Sequence, residues 1–181
     1  MNITWLTYLL RSKSLSFANN RKNKKHSLGT FYFNGKPLKY RAGTSDMAVI
    51  KEILLKKGSS CEYWLPDSLE PKTILDIGSN IGITSILFAK KFPLSTIHSF
   101  EPLKVNFEIM FKNVSTYSNI HTHPYGLGDK NDRLTMYKSN DPENFAAWSL
   151  YSELKNIDKV EPTIKGIESN YDSRNSGNSF A

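Results

Sequence analysis

The sequence predicts an α/β protein built on a doubly wound parallel sheet, and three segments carry that prediction. Thr73-Ile74-Leu75-Asp76-Ile77 is a short, nearly continuous apolar run, the pattern of a central parallel strand covered on both faces. It leads into Gly78-Ser79-Asn80-Ile81-Gly82, after which Ile83, Ile86, Leu87 and Lys90 keep a helical period until Pro93 forbids continuation. A second strand, Thr96 to Phe100, ends at Glu101, and Pro102 opens a helix with Leu103, Phe107, Met110 and Val114 on one face. A third strand, Ile120 to Tyr125, ends in Gly126-Leu127-Gly128-Asp129. Three successive strands therefore end, at one edge of the sheet, in residues suited to a ligand.

The elements before this unit carry less chemistry. The apolar run Ile3 to Leu10 is followed, not preceded, by Arg11 and Lys13, so it reads as a helix rather than a leader. An interfacial anchor through Trp5, Leu6, Leu9 and Leu10 is the alternative. Arg21 to His26 is a basic, solvated segment that marks a boundary. Phe31-Tyr32-Phe33 and Lys36 to Tyr40 flank Asn34-Gly35, a dipeptide that prefers the positive φ of a tight hairpin. Asp46 is expected to cap a helix with Ala48, Val49, Glu52, Ile53 and Lys56 at helical spacing and Gly58 as its stop. The expected organisation is a flank over 1–71, a half domain over 72–168 and a polar tail over 169–181.

Composition narrows the class. With 39% hydrophobic, 12% aromatic and 23% charged residues in 181, wholesale disorder, collagen-like repeats and coiled coil are excluded. No stretch approaches the roughly 20 apolar residues that span a bilayer. The one cysteine, Cys61, rules out an internal disulfide and points to a reducing, cytoplasmic setting. Residues 1–60 hold 12 Lys or Arg against Asp46 and Glu52, a net +10, whereas residues 61–181 hold 12 against 15 acidic residues, a net −3. No aromatics interleave with Arg21 to Lys25, which counts against nucleic acid as a partner.

The turn after the first strand restricts the ligand. A dinucleotide fingerprint needs G-x-G-x-x-G, but Asn80 stands at its second glycine and no third follows, so a nicotinamide cofactor is disfavoured. A Walker loop fails for want of Gly-Lys-Ser/Thr. Glu101, a carboxylate at a strand tip, suits the vicinal diol of a ribose because it can accept from both hydroxyls. His121 and His123 alternate on one strand and share a face, yet no third ligand is in register, so no metal is assigned. Ser85 lacks the setting of a nucleophile elbow. Phe145, Trp148 and Tyr151 are candidates for an acceptor pocket or for packing.

Asp76 through Gly82, Phe100-Glu101-Pro102, Asn106-Phe107, Lys112-Asn113 and Gly126-Leu127-Gly128-Asp129 resemble, in order and spacing, the FkbM family of S-adenosylmethionine-dependent methyltransferases. The resemblance covers roughly residues 73–138, and Tyr40-Arg41, Asp46 and Glu62-Tyr63 loosely match the segment that often precedes it. It implies a Rossmann-like class I methyltransferase fold, with S-adenosyl-L-methionine as cofactor and O-methylation of a sugar or secondary-metabolite hydroxyl. Gly78, Ser79, Asn80 and Gly82 would lie on the methionine side, and Asp76 would orient that loop or reach the ammonium through water. Glu101 would bind the ribose, Leu127 would pack on the adenine, and Asp129 would lie near its amino group. The catalytic base is not identified.

The family usually continues into a strand bearing Lys-x-Asp-x-Glu-Gly, which does not occur in this sequence. The second half of the sheet is accordingly expected to be missing, through truncation or a frameshift. Thr73 to Ile77 would then be an apolar edge that invites self-association unless Leu134 to Tyr137 or Trp148 to Tyr151 covers it. An inactive cofactor-binding remnant and a nucleic-acid methyltransferase are the alternative readings.

Overall fold

The computed structural model describes residues 3–23, 25–56, 63–139, 148–149 and 157–166. Gly58, Cys61, Glu62, Phe145, Tyr151 and the tail at 169–181 lie outside the described residues. The chain begins with helices α1 (Ile3–Ser12) and α2 (Leu15–Asn20), and the Ser14 hydroxyl caps α2 by accepting the Phe17 N–H at 3.2 Å. Tyr8 and Phe17 are buried from these helices, and Phe17 packs on Phe31 and Tyr40 with ring centroids 4.8 and 5.1 Å apart. Strands β1 (Leu28–Phe33) and β2 (Lys36–Arg41) form the expected hairpin, with Asn34 and Gly35 at φ 50° and 78° in a two-residue turn.

Helix α3 (Ser45–Leu54) departs from the sequence expectation in two respects. Thr44 is its cap, accepting the Asp46 N–H at 3.2 Å, because the Asp46 carboxylate is taken by Arg41. Its buried face is Met47, Ile50, Ile53 and Leu54, while Ala48 is exposed.

The parallel sheet has β3 (Thr73–Ile77), β4 (Thr96–Phe100) and β5 (Ile120–His123) in the order β3-β4-β5. Helices α4 (Ile83–Lys91) and α5 (Lys104–Val114) make the two crossovers, giving the βαβαβ half of a Rossmann-like fold. Both lie over the face that carries Ile97 and Ile120, packing Ile83, Ile86, Met110 and Val114 against it. On the opposite face Leu75 and Ile77 are 56% and 59% exposed, while Phe100, level with Ile77 at the end of β4, is buried against His123 and Tyr125. One apolar cluster runs from Tyr8 through the hairpin and α3 to Ile120.

The third predicted strand divides. β5 stops at His123, and β6 (Gly126–Gly128) leaves the sheet to pair in parallel with β11 (Thr163–Gly166), which also pairs with β7 (Asp132–Arg133). β8 (Met136–Ser139), β9 (Trp148–Ser149) and β10 (Ile157–Val160) form a separate antiparallel sheet. Neither β8 nor β9 pairs with β3, whose one neighbour among the described residues is β4.

Candidate functional site

The turn between β3 and α4 is held in the left-handed region by Gly78, Asn80 and Gly82, at φ 79°, 50° and 84°. Its amides are turned inward. Those of Gly78 and Ser79 both donate to the Phe100 carbonyl at 3.0 Å, that of Asn80 donates to Glu101 Oε2 at 2.8 Å, and that of Gly82 to the Ser79 carbonyl at 2.7 Å. A pyrophosphate cradle needs such amides aimed outward, so this hydrogen bonding disfavours a dinucleotide independently of the glycine count. A Cβ on Gly78 would meet open space, whereas one on Gly82 would lie 3.0 Å from Met110 Cγ and Val114 Cγ1. Gly78 thus leaves room for a ligand, and Gly82 lets α4 start against α5.

Asp76 makes the contacts of a brace. The Ser85 hydroxyl donates to its Oδ2 at 2.5 Å and lies 2.7 Å from Ser99 Oγ, while the Ser79 hydroxyl donates to the Asp76 carbonyl at 2.7 Å. All four residues are buried. Burial pushes the Asp76 carboxyl above its ordinary range, and the hydrogen bonds from Ser85 and Ser79 partly offset it.

Glu101 stands at the tip of β4, 4% exposed. Its Oε1 accepts the Leu103 N–H at 2.9 Å and faces Asn106 Nδ2 at 3.5 Å; its Oε2 accepts the Asn80 N–H. A carboxylate offers about four acceptor positions, so among the described residues one position, on Oε2, stays open. Burial raises the Glu101 pKa, offset by the Leu103 and Asn80 amides, Asn106 and the Arg41 charge. Beside it, Asn80 Oδ1 is buried with no hydrogen-bond partner among the described residues, an acceptor that a ligand donor would satisfy. These features fit a nucleoside diol with one hydroxyl on each of two neighbouring residues.

The last signature lies near these two. A Cβ on Gly126 would be 3.6 Å from Pro102 Cγ, so β6 passes against the residue after Glu101. Leu127 is half-buried there, and Asp129 is exposed just beyond β6. The residues that sequence reasoning gave no part in the site are Arg41, Asp46, expected only as a helix cap, and Asn106. Arg41 Nε and Nη2 bind Asp46 Oδ2 and Oδ1 at 2.8 Å each, and Nη1 donates to Asn106 Oδ1 at 2.9 Å, all of it buried. Charged residues next to apolar neighbours at 40–47 were the available signal.

Away from the site, His98 Nδ1 lies 3.0 Å from His123 Nε2 on the sheet face of Leu75 and Ile77, and the His98 ring stacks on those of His121 and His123. Burial, together with His98, His121 and Lys165, lowers the His123 pKa. No three-residue metal cluster occurs among the described residues. Clefts of about 430 and 500 Å³ open at the opposite end of the strands, beside Pro71, Phe92 and Leu69. No helix among the described residues is long and apolar enough to cross a membrane.

No family model matches the chain. It is 30% identical over 131 residues to Methyltransferase 1 of Beauveria bassiana (strain ARSEF 2860), covering 67% of this chain and 49% of that protein. The chain thus spans about half the length of this curated relative. Among solved structures it is similar to the methyltransferase FkbM of Methylobacillus flagellatus KT, 12% identical with a TM-score of 0.38, over 92% of this chain and 37% of that one. TYW2 of P. horikoshii, solved in complex with MeSAdo, is 14% identical with a TM-score of 0.38, over 54% of this chain and 36% of that one.

Proposed function

We propose that the chain is an S-adenosyl-L-methionine-dependent methyltransferase of the FkbM type that O-methylates a hydroxyl of a sugar or secondary metabolite. The observation that carries this reading is the pairing of Glu101 with the glycine loop through Asn80, which sets two unfilled acceptors on neighbouring residues. Two acceptors are what a ribose diol requires. The similarity to a curated methyltransferase supports the same reading.

In this reading Glu101 and Asn80 hold the ribose, Gly78 leaves space for the methionine portion, Leu127 packs on the adenine and Asp129 lies near its amino group. Asp76, Ser79 and Gly82 keep the loop in shape. The bound sulfonium supplies an electrophilic methyl whose leaving group departs neutral, so the protein's contribution is alignment of the acceptor oxygen. No residue is assigned as the base. The partner is a small-molecule or glycan hydroxyl acceptor, the setting is cytoplasmic, and the open edge of β3 pairs with a second copy. That same edge favours a second reading, a cofactor-binding form without turnover, since among the described residues β3 pairs with no strand other than β4.

Calorimetry with S-adenosylmethionine, S-adenosylhomocysteine and NAD tests the cofactor. Heat is expected with the first two and not with NAD, and equal binding of NAD would overturn the reading.

A further inference from the structure

The flank that precedes the sheet reaches the site through one buried chain of polar contacts. Arg41, the last residue of β2, forks onto Asp46 in the first turn of α3, and its backbone N–H adds a third bond to Asp46 Oδ2 at 2.9 Å. The Thr44 hydroxyl ties the Arg41 carbonyl at 2.9 Å, fixing the turn between strand and helix. Arg41 Nη1 then donates to Asn106 Oδ1 on α5.

A guanidinium has donors and no acceptor, so the Asn106 atom that faces it must be oxygen. The Asn106 amide nitrogen is thereby turned the other way, to 3.5 Å from Glu101 Oε1. The opposite amide orientation would set donor against donor at Arg41 and oxygen against carboxylate at Glu101. With the Leu103 N–H also on Oε1, that oxygen is filled and Oε2 is left to receive a ligand. The Arg41 charge also favours the ionised carboxylate against the effect of burial.

We infer that Arg41 and Asp46, acting through Asn106, hold the Glu101 carboxylate in the orientation that receives a ribose hydroxyl, which makes Asn106 a positioning residue. This rests on the reading of Glu101 given above. A purely structural role would anchor the flank to α5 without affecting how the ribose is recognised.

The test uses the full 181-residue chain and compares S-adenosylhomocysteine with its dideoxyribose analogue, which lacks the ribose hydroxyls. Wild-type protein should bind the hydroxylated ligand more tightly. Asn106→Ala leaves the Arg41–Asp46 pair in place and should weaken S-adenosylhomocysteine about three- to tenfold while changing the analogue less than about twofold. Arg41→Lys keeps a cation for Asp46 but lacks the second nitrogen that holds Asn106, so it should show the same selective loss and serves if Asn106→Ala does not fold. Equal losses for the two ligands, or no loss, in a folded variant overturn the inference and leave the reading of Glu101 standing. Equal binding of the two ligands by wild-type protein overturns both.

Discussion

Asp76 and Glu101 are buried carboxyls whose pKa values are raised above their ordinary 3.8 and 4.5, and the two consequences run in opposite directions with pH. Between the ordinary and the raised value, the folded chain binds more protons than the unfolded one. The stability contributed by each group is therefore largest below its ordinary value and declines as pH rises through the raised one. Asn at position 76 keeps an acceptor for Ser85 and cannot ionise. The stability of wild-type protein relative to Asp76→Asn, read from denaturant midpoints, should therefore fall as pH rises above 3.8. A relative stability that climbs over that range would show that the Ser85 and Ser79 hydrogen bonds outweigh burial. Ligand affinity should move the other way, weakening as pH drops through the Glu101 value, because a protonated oxygen no longer accepts as a carboxylate does.

The glycine turn shows how an element can be tied to both ligand and core. Gly78 opens to space, but Gly82 sits at φ 84° with α5 against it, so Gly82→Ala should lose about 2 kcal/mol or more through left-handed strain and crowding of Met110 and Val114. Thermal unfolding measures it, and a variant as stable as wild type would mean that α4 and α5 can separate at little cost. This unit was legible in the sequence because its signals are local: an apolar run, a turn of small residues, a helical period and a proline stop. The hairpin was legible for the same reason, through Asn34-Gly35. The Asp46 cap was misassigned because the residue that claims its carboxylate, Arg41, acts through side-chain geometry that periodicity does not encode. The link from Arg41 to Asn106 spans 65 positions, and the departure of β6 from the sheet depends on β11, far along the chain. Both are long-range pairings without a local signature.

Across the whole molecule, the flank and the sheet meet at a second buried asparagine. Asn113 on α5 accepts the Lys39 N–H at 2.6 Å and donates to the Lys39 and Ile81 carbonyls at 3.0 and 2.8 Å, joining hairpin, helix and glycine turn at one side chain. Lys36 Nζ adds a bond to the Thr116 carbonyl at 3.1 Å and lies 3.6 Å from the centre of the Tyr117 ring. With the apolar cluster continuous from Tyr8 to Ile120, the flank shares its core with the sheet. Asn113→Ala removes the partner of the part-buried Lys39 N–H and carbonyl and of the buried Ile81 carbonyl, at about 1–3 kcal/mol for a group that water cannot reach and less for the others. The expected result is a loss of about 2–4 kcal/mol with retention of a single transition, in which tryptophan emission and far-ultraviolet circular dichroism coincide during urea unfolding. If the flank were an independent unit, emission and circular dichroism would separate into two transitions in wild-type protein.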